Sequence, residues 1–260
     1  MYYLDFLAAL HERVRPRAYL ETGVRHGDSL ALARCPAVGI DPLPSLRVEL
    51  PESAKVIRET SDEYFGRERP LRPLGGRRPD LAFIDGMHLF EFALRDFAAV
   101  ERWSRWTSTI VFDDMLPRDV TEAARDRRTR AWTGDVYKLL GILGRHRPDL
   151  LCLRVDTQPT GLLLVLALDP RSSKLMKRYD EILERDLVAD PQPVPGAVMQ
   201  RRGALEPERV LEAGIWSYLR EARETETERE DGVRELRRIA RRDLGRIRPG
   251  GRRGLLPAGA

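Results

Sequence analysis

Short apolar segments alternate with amphipathic helical segments over the first 170 residues, and this alternation constrains the fold more than any other feature. Strands separated by helices favour parallel pairing with right-handed crossovers. The segment 80–84 is almost entirely apolar, as is typical of strands covered by helices on both faces. We therefore expect an α/β, Rossmann-like fold with a mostly parallel seven-stranded sheet. The predicted strands are 18–22, 37–40, 55–58, 80–84, 109–112, 150–155 and 161–168.

Apolar residues at helical spacing predict the helices that connect these strands. The two closing strands, 150–155 and 161–168, lie close together in sequence and suggest an antiparallel edge of the sheet. Asp28 or Ser29 is a suitable N-cap for the second predicted helix. The predicted helices are 3–14, 28–34, 89–102, 119–128, 135–146 and 171–187.

The sequence divides into three parts. Residues 1–170 are expected to form the catalytic domain. Residues 171–247 are expected to form a helical C-terminal extension that serves as a substrate lid or an oligomer contact, with an apolar stripe at Leu211, Ile215 and Leu219. Residues 248–260 are rich in Gly, Arg and Pro and are predicted to be a disordered basic tail.

Charge and composition exclude several classes of function. The segment 233–253 has a net charge of +7, which leaves −3 for the rest of a chain whose total is +4. Only the tail is therefore basic, and the globular part is not a nucleic-acid platform. Two cysteines are too few for a disulfide framework, and there is no run of eighteen apolar residues that could span a membrane. The N-terminus carries an acid, Asp5, where a signal peptide has positive charge. We expect a cytoplasmic protein with no membrane partner.

A glycine-containing loop follows the first predicted strand. Gly23 and Gly27 allow a tight turn and a close approach to a ligand, but two glycines four residues apart do not make a dinucleotide loop. Such a loop suits an amino-acid carboxylate, which the amides of the following helix and Ser29 would bind, while Glu21 would meet an amine. A plain strand-to-helix turn is the alternative interpretation.

Polar residues also follow the second and third predicted strands. Asp41 lies about 20 residues beyond the glycine loop, the spacing expected for an acid that binds a ribose diol. The alternative is an ordinary turn aspartate before Pro42. Ser61 and Asp62 are candidates for contacts with an adenine ring.

Three acids follow the fourth and fifth predicted strands. Asp85 ends the fourth strand, and Asp113 and Asp114 end the fifth. If these strands are neighbours, the carboxylates converge, and a hard divalent cation such as Mg²⁺ would relieve their repulsion. The alternative is that only one or two of these acids face the cleft.

His88 follows Asp85 by three residues and is the candidate general base, because an imidazole accepts a proton near neutral pH. Trp132 and Asp135 follow the fifth strand. Trp132 is a candidate for stacking on a sugar or aromatic ring, and Asp135 is interpreted as the N-cap of the helix 135–146.

Taken together, the loop 21–29, Asp41 with its neighbours, the step 60–62 and the segment 83–88 resemble class I S-adenosylmethionine methyltransferases. The resemblance covers residues 17–168 and is closest to the branch that modifies sugars and other small hydroxylated molecules. It implies an O-methyltransferase whose cofactor, S-adenosylmethionine, also contacts Asp85.

Metal-dependent catechol-type members of this family carry a matching pattern of metal ligands and base. An acid ends their fourth strand, a basic residue follows three positions later, and an acid pair or acid-amide pair follows their fifth strand. Asp85, His88, Asp113 and Asp114 fall on that pattern, although His88 stands where the family has Lys. The resemblance implies a Mg²⁺ site and in-line methyl transfer, while His88 is left as base, metal ligand or substrate contact.

Three other functions remain open at this point. The chain could be a non-catalytic subunit that binds a partner through its helical C-terminus. We also expect that these helices could join copies of the chain in a homo-oligomer. An oxidoreductase on this fold is disfavoured by the two-glycine loop. An RNA methyltransferase has only the basic tail in its favour, so we expect a small hydroxylated substrate and no nucleic-acid partner.

Overall fold

A computed structural model describes residues 1–246 and contains one seven-stranded sheet. Its strands are β1 (Tyr19–Thr22), β2 (Ala37–Ile40), β3 (Ala54–Ile57), β4 (Leu81–Ile84), β5 (Thr109–Phe112), β6 (Leu151–Val155) and β7 (Leu162–Leu166). Their order is β3-β2-β1-β4-β5-β7-β6. Strand β7 pairs antiparallel with both β5 and β6, and the other pairs are parallel. The predicted Rossmann-like α/β fold is confirmed. However, the antiparallel strand lies inside the sheet, and β6 forms its edge.

Nine α-helices are present among residues 1–246. They are α1 (Tyr3–Val14), α2 (Ser61–Phe65), α3 (Phe90–Trp103), α4 (Leu139–His146), α5 (Tyr179–Asp186), α6 (Gly196–Met199), α7 (Pro207–Glu212), α8 (Ile215–Glu224) and α9 (Arg229–Leu244). The helix predicted over 171–187 is shortened to α5 and a preceding 3-10 turn. The predicted helix 135–146 likewise becomes a 3-10 turn followed by α4.

Two of the predicted helices do not form as α-helices. The segment 28–34 contains only a 3-10 turn, Leu30–Leu32, because the Ser29 hydroxyl donates to Glu21 instead of capping a helix. The segment 119–128 is a series of turns. There the Asp119 carboxylate accepts from the backbone of Thr121 and Glu122, as expected of an aspartate that stabilises a turn.

The parallel register places several chemically important positions on one rim of the sheet. Thr22 of β1 pairs with Ile84 of β4, and Ile84 pairs with Phe112 of β5. The residues that follow these strand ends therefore emerge side by side. In an open sheet of this type, ligands bind beyond the carboxyl ends of the strands.

The C-terminal helices α7, α8 and α9 cover one face of the sheet together with α1. Leu211, Ile215 and Leu219 are buried in the same core cluster as Phe6 and Leu10 of α1. The apolar stripe is therefore covered by the chain itself and gives no support to pairing between subunits. The predicted tail, 248–260, lies outside the described residues. No helix within residues 1–246 is both long and apolar enough to span a membrane.

Candidate functional site

A cavity of about 690 Å³ lies beyond the carboxyl ends of β1, β2, β4 and β5. This volume is within the ordinary range for sites that bind small molecules and cofactors. Most of the residues that the sequence singled out line this cavity. They are Gly23, Asp41, Ser61, Asp62, Asp85, His88, Asp113 and Asp114.

Gly23 holds the β1 loop against the end of β4. Its φ is +84°, and a Cβ at this position would overlap the carbonyl oxygen of Asp85. Only glycine accommodates both the left-handed backbone and this approach. Gly27 also has a positive φ, +89°, but it packs near the side chains of Leu46 and Leu50 and does not line the cavity.

Glu21 and Ser29 are both buried beneath the loop and do not line the cavity. Glu21 is fully buried, and its two carboxylate oxygens accept from Tyr19 Oη at 2.7 Å and Ser29 Oγ at 2.8 Å. Burial raises the pKa of Glu21 to about 8, although both hydroxyl donors act to lower it. The pair therefore supports the loop from below, and its direct contact with a cofactor remains an untested prediction.

Asp41 lies at the end of β2 and links it to the β1 loop. Its Oδ2 accepts from the backbone amides of Val24 and Arg25 at 2.9 and 2.7 Å, and its Oδ1 accepts from Leu43 N at 2.8 Å. The carboxylate is thus fixed by three backbone donors on the cavity wall. The Asp41 carboxylate therefore already uses two amides of the β1 loop, those of Val24 and Arg25.

Ser61 and Asp62 form the first turn of α2 at the cavity. Thr60 and Glu63 make a capping box that fixes the start of this helix. The Asp62 carboxylate accepts from Arg95 Nε at 3.1 Å and from Arg95 Nη2 at 2.7 Å. Both residues therefore lie where the sequence predicted an adenine contact, but the Asp62 charge is already paired.

Asp85, His88 and Asp114 form the most concentrated cluster of ionisable groups in the cavity. One ligand atom of each lies within 4.8 Å of the others. His88 Nδ1 is 2.6 Å from Asp114 Oδ2, and His88 Nε2 is 3.6 Å from Asp85 Oδ1. The φ of Asp114 is +60°, a left-handed conformation that Asp tolerates better than most residues. This backbone turns its carboxylate toward His88.

Asp113 stands beside this cluster and was expected to be one of its ligands. It lines the cavity, but its Oδ1 accepts from Asp114 N at 2.7 Å, so the structure groups His88 with Asp85 and Asp114 in its place. Burial raises the pKa of both Asp85 and Asp113, and the neighbouring carboxylates raise both further. Crowded acids of this kind fit a hard divalent cation, which would supply the missing positive charge.

The environment of His88 differs from that of a free imidazole. Burial lowers its pKa, but contact with Asp114 and the charges of Asp114 and Asp85 outweigh burial and raise the pKa to about 9. Without further positive charge in the site, His88 is therefore an imidazolium at neutral pH. This was not evident from its position in the sequence.

The segment 117–134, which follows β5, overhangs the cavity. Trp132 stacks on His88 with ring centroids 5.2 Å apart and planes 12° apart, and Trp132 Nε1 donates to Ala124 O. Gly134 has a φ of +55°, and a Cβ there would overlap the His88 carbonyl oxygen. None of the described residues 171–246 lines the cavity, whereas several residues of the segment 117–134 do.

Asp135 anchors the end of this segment and is not the helix N-cap expected from the sequence. It makes no side-chain cap hydrogen bond to the turn that it precedes. Its fully buried carboxylate accepts from Phe90 N at 3.0 Å and pairs with Arg125 and Lys138 at 2.7 and 2.9 Å. Asp135 therefore caps α3 and ties the overhanging segment to the helix that follows His88.

Sequence reasoning missed several polar residues on the cavity wall, among them Thr22, Asp96 and Tyr3. Thr22 of β1 and Asp96 of α3 are both buried, and the Thr22 hydroxyl interacts with the Asp96 carboxylate. Burial raises the pKa of Asp96 to about 6. Burial and the charges of Asp85 and Asp113 raise the pKa of Tyr3, which also lines the cavity. Asp96 was detectable, because it is an acid on the apolar face of α3.

Comparison with known proteins identifies one matching domain. Residues 20–115 match a family model described as a methyltransferase domain. The resemblance to class I methyltransferases predicted from the sequence is thereby confirmed for this part of the chain. A sequence comparison with curated proteins found no match.

Solved structures with a similar fold include several methyltransferases. A putative O-methyltransferase from Klebsiella pneumoniae is 16% identical, with 64% of this chain and 80% of that chain covered and a TM-score of 0.45. The O-methyltransferase from Bacillus cereus in complex with SAH is 15% identical, with 63% and 80% covered and a TM-score of 0.43. MycE from the mycinamycin biosynthetic pathway, in complex with Mg, SAH and mycinamycin VI, is 19% identical, with 66% and 50% covered and a TM-score of 0.44. These similarities assign no activity to the chain.

Proposed function

We propose that this chain is an S-adenosylmethionine-dependent, Mg²⁺-dependent O-methyltransferase that acts on a hydroxyl of a small molecule of the sugar or natural-product type. The observation that carries the proposal is the grouping of Asp85, His88 and Asp114 within 4.8 Å on the wall that also holds Gly23 and Asp41. A nucleoside site and a cation site would thus share one cavity.

The cofactor end of the cavity is formed by the ends of β1, β2 and β3. Gly23 leaves room for a close approach, Asp41 presents a fixed carboxylate to a ribose diol, and Ser61 with Asp62 stands where an adenine would lie. When bound, S-adenosylmethionine supplies the methyl group that is transferred.

The cation site would be formed by Asp85 and Asp114, with Asp113 beside them. Burial and neighbouring carboxylates raise the pKa of Asp85 and Asp113, and a divalent ion would supply the positive charge that stabilises their ionised forms. Mg²⁺ supplies positive charge, which makes a nearby hydroxyl more acidic and opposes protonation of His88. The same ion would therefore favour the neutral imidazole that general-base chemistry needs.

The chain's own residues then position and deprotonate the acceptor. The contact between His88 Nδ1 and Asp114 orients the imidazole and leaves Nε2 as the atom that takes the proton of the acceptor hydroxyl. Trp132 stacks on one face of the imidazole ring and shields that face from water. Most of the rate enhancement would come from this positioning and from electrostatics.

The compartment and assembly of the protein are also proposals. Cys35 and Cys152 are both free, which suits the reducing cytoplasm. A homo-oligomer stays a prediction that no feature of the C-terminal helices supports.

A methyl-transfer assay tests the proposed function. Purified protein is incubated with methyl-labelled S-adenosylmethionine and a panel of sugars and catechols, with Mg²⁺ or with a chelator. We expect label transfer that the chelator abolishes and that Asp85→Asn reduces by about 100-fold or more. Asp126→Asn, an exposed acid outside the cavity, is the matched control and should retain activity. Transfer that persists in the chelator or in Asp85→Asn would refute the metal-dependent mechanism.

A further inference from the structure

The overhanging segment 117–134 carries an unusual density of arginines, and most of them are paired. Arg118 lies 2.6 Å from Glu122, Arg125 lies 2.5 Å from Glu91, and Arg128 lies 3.7 Å from Asp126. These pairs account for three of the five arginines of the segment. The five are Arg118, Arg125, Arg127, Arg128 and Arg130.

The two remaining arginines differ from the other three in charge balance and in position. Within residues 1–246, no carboxylate oxygen lies within 4.0 Å of a side-chain nitrogen of Arg127 or Arg130 (the salt-bridge distance). Both line the cavity, whereas Arg128 does not. The unpaired positive charges of this segment are therefore the two at the cavity. A high overall arginine content does not account for this placement.

Arg127 is also held in place beside the reacting groups. Its Nη2 donates to Arg130 O at 3.1 Å, and its guanidinium lies 5.8 Å from the centre of the Trp132 ring, which in turn stacks on His88. A guanidinium fixed by a carbonyl and an aromatic ring is preorganised to bind an oxyanion. The Arg127 guanidinium and the proposed base, His88, are thus both neighbours of the Trp132 ring.

The opposite end of the cavity has its own cation. The Arg25 backbone amide is bonded to Asp41, so Arg25 belongs to the β1 loop at the cofactor end. Arg127 and Arg130 come from the segment after β5 and flank the end where the acceptor must reach His88. Their charges are therefore available to the acceptor and not to the nucleoside.

We propose that the acceptor carries an anionic group, a carboxylate or a phosphate, that Arg127 and Arg130 bind while its hydroxyl reaches His88. This inference rests on the proposed function and narrows its substrate class from hydroxylated small molecules in general to hydroxylated acids. The two unpaired guanidinium groups would also attract such acceptors from solution, an effect that salt would weaken.

Calorimetric titration of the protein loaded with S-adenosylhomocysteine and Mg²⁺ tests the proposal with three compounds of the same ring. Glucose is neutral, glucuronate adds a carboxylate, and glucose 6-phosphate adds a phosphate, so the two anions distinguish the two sources of charge. We expect at least one anion to bind about tenfold more tightly than glucose, and this advantage to shrink as NaCl is added.

Arginine variants identify the residues responsible. The advantage of the anion over glucose should disappear in the double variant Arg127→Gln/Arg130→Gln and persist in Arg128→Gln, a neighbouring exposed arginine that does not line the cavity. An anion that binds no better than glucose, or an advantage that survives in the double variant, would overturn the inference.

The loading step separates this inference from the proposed function. If S-adenosylhomocysteine itself fails to bind, the proposed function is rejected. If it binds and neither anion is preferred, only the anionic acceptor is rejected. The melting temperature of the double variant should match that of Arg128→Gln, because all three side chains are exposed.

Discussion

His88 shows how neighbouring charges determine the chemistry of a single side chain. Its spacing from Asp85 was readable in the sequence, but the contact with Asp114 and the stacking with Trp132 depend on the left-handed backbone at Asp114 and on the turn at Gly134. Neither conformation follows from residue spacing. The sequence therefore predicted the residue and could not predict that its pKa would rise to about 9.

Replacing His88 by Gln tests its role as the base. His88→Gln should lower the rate of methyl transfer by about 100-fold or more, the ordinary contribution of a general base. The dissociation constant for S-adenosylhomocysteine, measured by calorimetry, should change by less than about threefold. His26→Gln, which alters a histidine outside the cavity, is the control. Near-normal transfer by His88→Gln would remove His88 from the mechanism.

Glu21 makes the free energy of unfolding depend on pH, because its pKa differs between the folded and unfolded states. Its pKa is about 8 in the folded protein and ordinarily 4.5, so between these values the folded state holds a proton that the unfolded state has released. The stabilising effect of this proton is complete below pH 4.5 and is lost as the pH rises through 8. The free energy of unfolding should therefore fall with rising pH, by at most ~1.4 kcal/mol per pH unit from this group.

Denaturation of Glu21→Gln at several pH values checks this sign. Gln has no proton to release, so the variant should lose less stability than the wild type between pH 5.5 and pH 7.5. The exposed Glu52→Gln serves as the control and should keep the wild-type dependence. Identical pH dependence in Glu21→Gln and the wild type would show that Glu21 is ionised in the folded protein throughout this range.

At the scale of elements, the strands were predictable and the short connecting helices were not. All seven predicted strands form within two residues of their expected bounds, because most of them are short apolar runs that the sheet buries. Strand β3 is the exception, since it contains Lys55 and is only partly buried. The segment 28–34 lacks an α-helix, and its Ser29 hydroxyl donates to the buried Glu21 carboxylate of β1 instead of capping a helix. Such competition depends on tertiary partners that a linear pattern does not contain.

The contact between the β1 loop and the end of β4 gives an element-scale prediction. Gly23→Ala should push these two elements apart, since its Cβ would overlap the backbone of Asp85, and should weaken S-adenosylhomocysteine binding by about tenfold or more. Gly76→Ala is the matched control, because Gly76 also has a positive φ, +76°, but has nothing within 4 Å of its Cβ position. Both variants should lower the melting temperature, and only Gly23→Ala should affect binding measured by calorimetry. Unchanged binding by Gly23→Ala would contradict the assigned cofactor end.

For the whole molecule, the C-terminal helices are part of the core and not an appendage of the site. Leu236 of α9 is fully buried in the cluster that includes Phe83 and Val111 of the sheet. The sequence predicted a helical extension over residues 171–247 but did not show which surface its helices cover. That surface is the sheet face that α1 leaves open, which only the assembled fold defines.

Leu236→Ala tests this placement. Loss of a fully buried leucine should lower the free energy of unfolding by about 2–5 kcal/mol, measured by urea denaturation. The dissociation constant of S-adenosylhomocysteine for the folded variant should stay near that of the wild type, since no residue of α9 lines the cavity. Met176→Ala, an exposed site, should change stability by no more than about 0.5 kcal/mol. A loss of binding without a loss of stability in Leu236→Ala would place α9 at the site instead.

The central claim is that one cavity brings together a nucleoside site, three carboxylates and an imidazole. Calorimetric titration with S-adenosylhomocysteine, with and without Mg²⁺, tests it most directly. The account predicts binding of about one nucleoside per chain, and Mg²⁺ binding that Asp114→Asn abolishes while nucleoside binding persists. Absence of any heat from the nucleoside, in either the presence or absence of Mg²⁺, would contradict the account.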